Sequence, residues 1–70
     1  MHTLLLKAEM VKNGDTQETL AEAMGISRQS LNSKILGKVD FRKNEILFIK
    51  DRYHLSAKAI DSIFFDSKVS

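Results

Sequence analysis

Arg28-Gln29-Ser30, followed after one leucine by Asn32-Ser33, is the stretch of this chain best supplied with chemistry. A guanidinium, two carboxamides and two hydroxyls fall within six residues, and no carboxylate occurs between Met24 and Lys38. Side chains of this kind donate and accept hydrogen bonds towards base edges: arginine pairs with guanine, and glutamine or asparagine with adenine. A carboxylate among them would repel phosphate. The bland alternative is a solvated polar helix face. Lys34, Lys38, Arg42 and Lys43 extend the positive charge beyond this stretch. Lys38, Arg42 and Lys43 are candidate phosphate contacts. Lys34 is read two ways, as a phosphate contact or as an aliphatic stem lying over the core with its ammonium outward.

No comparable signal supports catalysis. There is no Ser/His/Asp spacing, no phosphate loop and no acid pair in an apolar setting. His2 and His54 stand alone and read as surface or core histidines, and Asp61 and Asp66 as surface acids. With no cysteine, thiolate metal sites and disulfides are excluded. We therefore expect no enzyme, no metal, no cofactor and no small-molecule substrate. No apolar run approaches the roughly 20 residues that span a bilayer, and the expected location is the cytoplasm.

The charge balance agrees with a local anion-binding patch. The chain has 70 residues and a net charge of +2. Residues 1–25 hold two lysines against four acids, residues 26–43 five cations against Asp40 alone, and residues 44–70 four of each sign. A local basic patch attracts a polyanion even when the whole molecule is near neutral.

These residues need a scaffold, and the patterning predicts one all-α domain over residues 1–70 with five helices. Helix 1 is expected from about Thr3 to Lys12, with Leu5, Leu6, Met10 and Leu4 as its apolar stripe, ended by Asn13-Gly14-Asp15. Helix 2 starts at Gln17 behind a Thr16 cap, buries Leu20, Ala21 and Met24, and stops at Gly25. Ile26 plugs the corner. Ser27 caps helix 3, about Arg28 to Leu36, which is anchored by Leu31 and Ile35; Gly37 stops it. Helix 4 is expected over about Arg42 to Tyr53, with Ile46, Ile49 and Tyr53 inward. Ser56 caps helix 5, about Ala57 to Phe65, with Ile60, Ile63 and Phe64 inward. Leu47, Phe48, Phe64, Phe65 and Val69 add more apolar surface than two short helices readily bury. Most are assigned to the core, and Phe65 and Val69 to a protein interface.

Two short helices around a glycine turn describe a helix-turn-helix. Ala21 allows close crossing, Gly25 accepts positive φ, and Leu20, Met24, Ile26 and Leu31 anchor the pair. Gln17, at the positive end of helix 2, is placed to touch a phosphate. "TQETLAEAMGISRQSLNSKILGK" resembles the helix-turn-helix of the phage Cro/repressor (XRE-type) family at Thr16, Gln17, Leu20, Ala21, Gly25, Ile26, Ser27 and Leu31. The segments "GKVDF" and "KNEI", then "KAIDSIFF", resemble the C-terminal helices of small phage-borne members. Two positions depart: Lys34 stands where the family commonly has an apolar residue, with Ile35 taking over the anchoring, and Leu36 where it usually has asparagine. The resemblance implies a five-helix, lambda-repressor-like domain that binds double-stranded operator DNA, usually as a homodimer, in a bacterial host. Gln17, Arg28, Gln29, Ser30, Asn32 and Ser33 would face the DNA. The expected role is a Cro-type transcriptional regulator of a lysis/lysogeny switch. The rival expectation is an antirepressor that uses the same fold to bind a partner phage repressor.

Overall fold

Four of the five helices end in the same way, and these endings set the chain's path. In the computed structural model, which describes residues 1–65, α1 spans Thr3–Lys12, α2 Gln17–Met24, α3 Arg28–Ile35, α4 Lys43–Tyr53 and α5 Ala57–Ile60. After α2, the Ile26 N–H donates to the Ala21 carbonyl (3.1 Å) and the Gly25 N–H to Glu22 (3.1 Å). This pair of bonds closes a helix only when the residue between adopts the left-handed region. Gly25 does so at φ 73° without steric cost. The same pair of bonds ends α1, α3 and α4. At α4 the left-handed residue is His54, φ 53°, where a Cβ must be tolerated.

At their other ends, α2, α3 and α5 are capped by Thr16, Ser27 and Ser56, whose hydroxyls accept from the backbone N–H three residues on. The expected bounds of α1 and α2 match. Helix α3 is one residue shorter than expected because Leu36 is its C-cap, and Arg42 precedes α4 as its N-cap. α5 runs straight into a π-helical turn, Asp61–Phe65, where a continuous α-helix was expected. No strand occurs among the described residues.

Leu6, Met10, Leu20, Ala21, Leu31, Ile35, Ile49, Tyr53 and Ile63 form one buried cluster drawing on every helix except α5, whose Ile60 is also buried. The stripe of α1 is narrower than expected. Leu6 and Met10, one turn apart, point inward, while Leu4 and Leu5 are 73% and 39% exposed. Leu47 and Phe48 likewise face outward from α4, which corrects their assignment to the core. The N-terminal residues are tied to this core. The His2 N–H donates to the Ile63 carbonyl (2.6 Å), and the Thr3 hydroxyl donates to the Ile35 carbonyl (2.8 Å), one of the acceptors left open at the end of α3.

Candidate nucleic-acid interface

The three-residue turn Gly25-Ile26-Ser27 sets α3 against α2. Leu20 and Ala21 from α2 and Leu31 and Ile35 from α3 are all buried. With these faces used, the opposite side of α3 must meet solvent. Arg28, Gln29 and Ser30 are exposed, and Asn32 and Ser33 half-buried. Ser27 accepts from the Ser30 N–H (3.0 Å) and donates its own proton to the Ser30 hydroxyl (3.0 Å), which leaves Ser30 a free proton.

Gln17, from the first turn of α2, joins this face: Gln17, Arg28, Gln29 and Asn32 line one open surface depression. Its lining carries one cation and three carboxamides and no carboxylate. Such a surface can pair with the edges of planar bases and with phosphate oxygens.

Two polar contacts, centred on the largely buried side chains of Asp15 and Lys34, hold this face in position. At the start of α2, Thr16 and Thr19 cap each other: the Thr19 N–H donates to the Thr16 hydroxyl oxygen (3.1 Å) and the Thr16 N–H to the Thr19 hydroxyl oxygen (2.9 Å). The Thr19 hydroxyl donates onward to Asp15 (2.8 Å). Asp15 also accepts from Arg52 Nε (2.7 Å) and Nη2 (2.9 Å) and from the Tyr53 hydroxyl (2.6 Å). The carboxylate thus clamps the entry to α2 onto the end of α4. The Arg52 hydrogen bonds hold its carboxyl far below the usual carboxylate range. Burial opposes that shift, and the Tyr53 and Thr19 hydroxyls add to it. Burial first, then the adjacent Asp15, pushes the Tyr53 phenol up.

The second contact joins α3 to α4. Lys34 is only 8% exposed, and its Nζ donates to Glu45 Oε1 (2.8 Å), which also accepts the Arg42 backbone N–H (2.8 Å). Burial pushes the Glu45 carboxyl up, but Lys34 and that N–H outweigh it, and the net shift is downward. Lys34 is therefore not a phosphate contact. It lies on the buried side of α3 beside Leu31 and Ile35, and its charge is satisfied internally.

A family model described as "Protein of unknown function (DUF739)" matches residues 4–67. The chain belongs to the DUF739 family. No curated protein and no solved structure matches it. The match spans every described helix of the DUF739 chain except the first residue of α1, so the outer face of α3 and both polar contacts belong to the family's domain.

Of the remaining expected site residues in this DUF739 domain, Lys38 and Arg42 are exposed after α3. Lys43 is exposed but lines a different depression, an apolar groove with Phe41, Ile46, Leu47, Ile60 and Phe65. Phe65 is 62% exposed, and Val69 lies outside the described residues. Sequence reading missed the Asp15 clamp: Asp15 served only as a turn residue, and nothing local links it to Arg52, 37 positions on. The one available signal for Glu45 was its place three residues after Arg42, where an acid reaches back to the N-cap. No helix among the described residues is long and apolar enough to cross a membrane, and none of those residues group as a metal site.

Proposed function

We propose that this DUF739 domain is a sequence-specific DNA-binding regulator with a lambda-repressor-like helix-turn-helix, α2 and α3, of Cro/repressor type, working in the cytoplasm of a bacterial host. The observation that carries this reading is the acid-free depression that joins Gln17 to Arg28, Gln29 and Asn32. In this account α3 enters the major groove, and Arg28, Gln29, Ser30, Asn32 and Ser33 meet base edges. Gln17, Lys38 and Arg42 hold the phosphates on either side and fix the register. The Asp15 clamp and the Lys34–Glu45 pair act beneath this surface, holding α2 and α3 to α4.

The test is binding to labelled duplexes, both a random pool and the best sequence selected from it. Two or three neutralised phosphates per copy predict an affinity loss of about 12- to 40-fold between 50 and 200 mM salt. Arg28→Ala should relax preference at one base pair, by about 1–3 kcal/mol of discrimination. Lys38→Ala should weaken all duplexes alike. Binding indifferent to salt, or Arg28→Ala and Lys38→Ala behaving identically, would remove the reading. The rival antirepressor role draws support from the exposed Leu47 and Phe65. It predicts tight capture of a phage repressor by a protein with only millimolar DNA affinity.

A further inference from the structure

Helix α4 carries a row that the described residues leave uncovered. Lys43, Leu47 and Asp51 follow one another at intervals of four, so they lie along one side of the helix, and all three are exposed. Leu47, 52% exposed, is the midpoint, with a cation one turn before it and a carboxylate one turn after it. Both charges oppose the helix dipole: Lys43 occupies the first position, where negative charge is favoured, and Asp51 the last turn, where positive charge is favoured. The neighbouring Glu45, Lys50 and Arg52 follow the dipole rule. Beside the row runs the groove lined by Phe41, Lys43, Ile46, Leu47, Ile60 and Phe65, whose side chains other than Lys43 are all apolar.

The geometry points to a second copy of this chain as the occupant of that surface, docked α4 against α4 in antiparallel fashion about a two-fold axis at Leu47. A row reading cation, leucine, carboxylate at equal spacing is complementary to its own reverse. Lys43 and Asp51 each lie about 6 Å along the helix from Leu47. Reversal therefore sets Lys43 of each copy opposite Asp51 of the other, with the two leucines meeting at the axis. Each Leu47 then borders the other copy's apolar groove and covers part of Phe65. A two-fold contact uses the same patch on both copies, and this self-complementarity is what such a contact requires. The patch is small. A pair of 11-residue helices buries less than the roughly 1,200 Å² typical of stable interfaces, so the association is weak and concentration-dependent. The inference does not depend on the DNA-binding reading.

Sedimentation equilibrium of the full chain between about 10 μM and 1 mM tests it. The expected result is a monomer–dimer equilibrium with Kd on the order of 100 μM. K43D and D51K each turn two opposite-charge contacts into like-charge ones, and each should raise Kd about tenfold. The double variant K43D/D51K re-forms both pairs with their signs exchanged, and should return Kd to within about threefold of the original. Both reversals agree with the helix dipole, so all three variants should melt no lower than the parent, which separates lost association from lost folding. A chain that stays monomeric at 1 mM overturns the proposal. So does a dimer indifferent to the single reversals, or a double variant as weak as either single one. Contacts of Leu47 and Phe65 with residues 66–70 of the same chain, seen by NMR in a monomer, would assign the groove to the chain's own end and overturn it equally.

Discussion

Replacing Asp15 by asparagine keeps the side chain's shape and removes its charge. The two carboxylate oxygens divide four contacts: Oδ1 accepts from Thr19 and Arg52 Nη2, and Oδ2 from Arg52 Nε and the Tyr53 hydroxyl. In the amide one of these oxygens becomes an NH₂ group; the hydroxyl beside it can turn and accept, but the Arg52 N–H cannot, so one donor faces a donor and the charge is lost. The Asp15 side chain is 6% exposed and that of Arg52 34%. Hydrogen bonds to a charged group contribute about 1.5–3 kcal/mol, but solvent screening at Arg52 brings its share towards the ~1 kcal/mol of a surface pair. The expected loss is about 2 kcal/mol, or a fall in Tm of roughly 8–16 °C for a domain of this size. Its pH dependence has a definite sign. The folded carboxyl of Asp15 titrates far below its unfolded value because Arg52 donates to it. Its stabilisation is therefore fully present above the unfolded pKa of about 3.9, and is lost as pH falls through the folded value. Glu45 is also shifted downward, but it is common to both proteins and cancels in the difference. Thermal unfolding followed by circular dichroism should show a constant gap between parent and Asp15→Asn from pH 7 to about 5, narrowing below about pH 4. A gap under about 0.5 kcal/mol at pH 7, typical of an ordinary surface substitution, would refute the clamp. So would a gap unchanged down to pH 3.

Other substitutions probe other parts of the fold. Leu31→Ala empties a fully buried position between α2 and α3; it should cost about 2–5 kcal/mol in chemical denaturation and leave little folded protein. Lys34→Met strands Glu45 and should destabilise by about 2 kcal/mol, whereas Lys34→Met with Glu45→Leu should come within about 1 kcal/mol of the parent or exceed it. Gly25→Ala meets no atom within 4 Å. Its cost should be only that of a left-handed alanine, about 1–2 kcal/mol by the same measurement. His54→Gly relieves the one non-glycine residue at positive φ among the described residues, and should raise stability by about 0.5–1 kcal/mol.

The helix ends were legible because they are local. A capping hydroxyl acts on an amide three residues away, and Gly25 marks its own backbone geometry; these gave α2 and the turn into α3 to the residue. The phase of α1 was not legible in the same way. Three consecutive leucines offer every orientation, and only the single turn from Leu6 to Met10 faces the core. The ridge on α3 could be read because its buried side is marked by Leu31 and Ile35, which leaves Arg28 and Gln29 outside. Lys34 could not be resolved from sequence, since a long amphipathic side chain is compatible with either side until its partner is known. That partner, Glu45, lies 11 positions away, and Arg52 lies 37 positions from Asp15. Such pairings depend on tertiary approach, which periodicity does not encode. The same holds for the place of Lys43 at the rim of an apolar groove, which its residue type does not announce.

The outer face of α3, with Gln17, is the surface we propose meets duplex DNA. Backbone amide NMR of the labelled chain, titrated with the tightest-binding selected duplex, tests this most directly. Shifts are expected at Gln17, Arg28, Gln29, Ser30, Asn32 and Ser33, with smaller changes at Lys38 and Arg42. Shifts confined to α4 and Phe65, or none at a saturating duplex concentration, would contradict it.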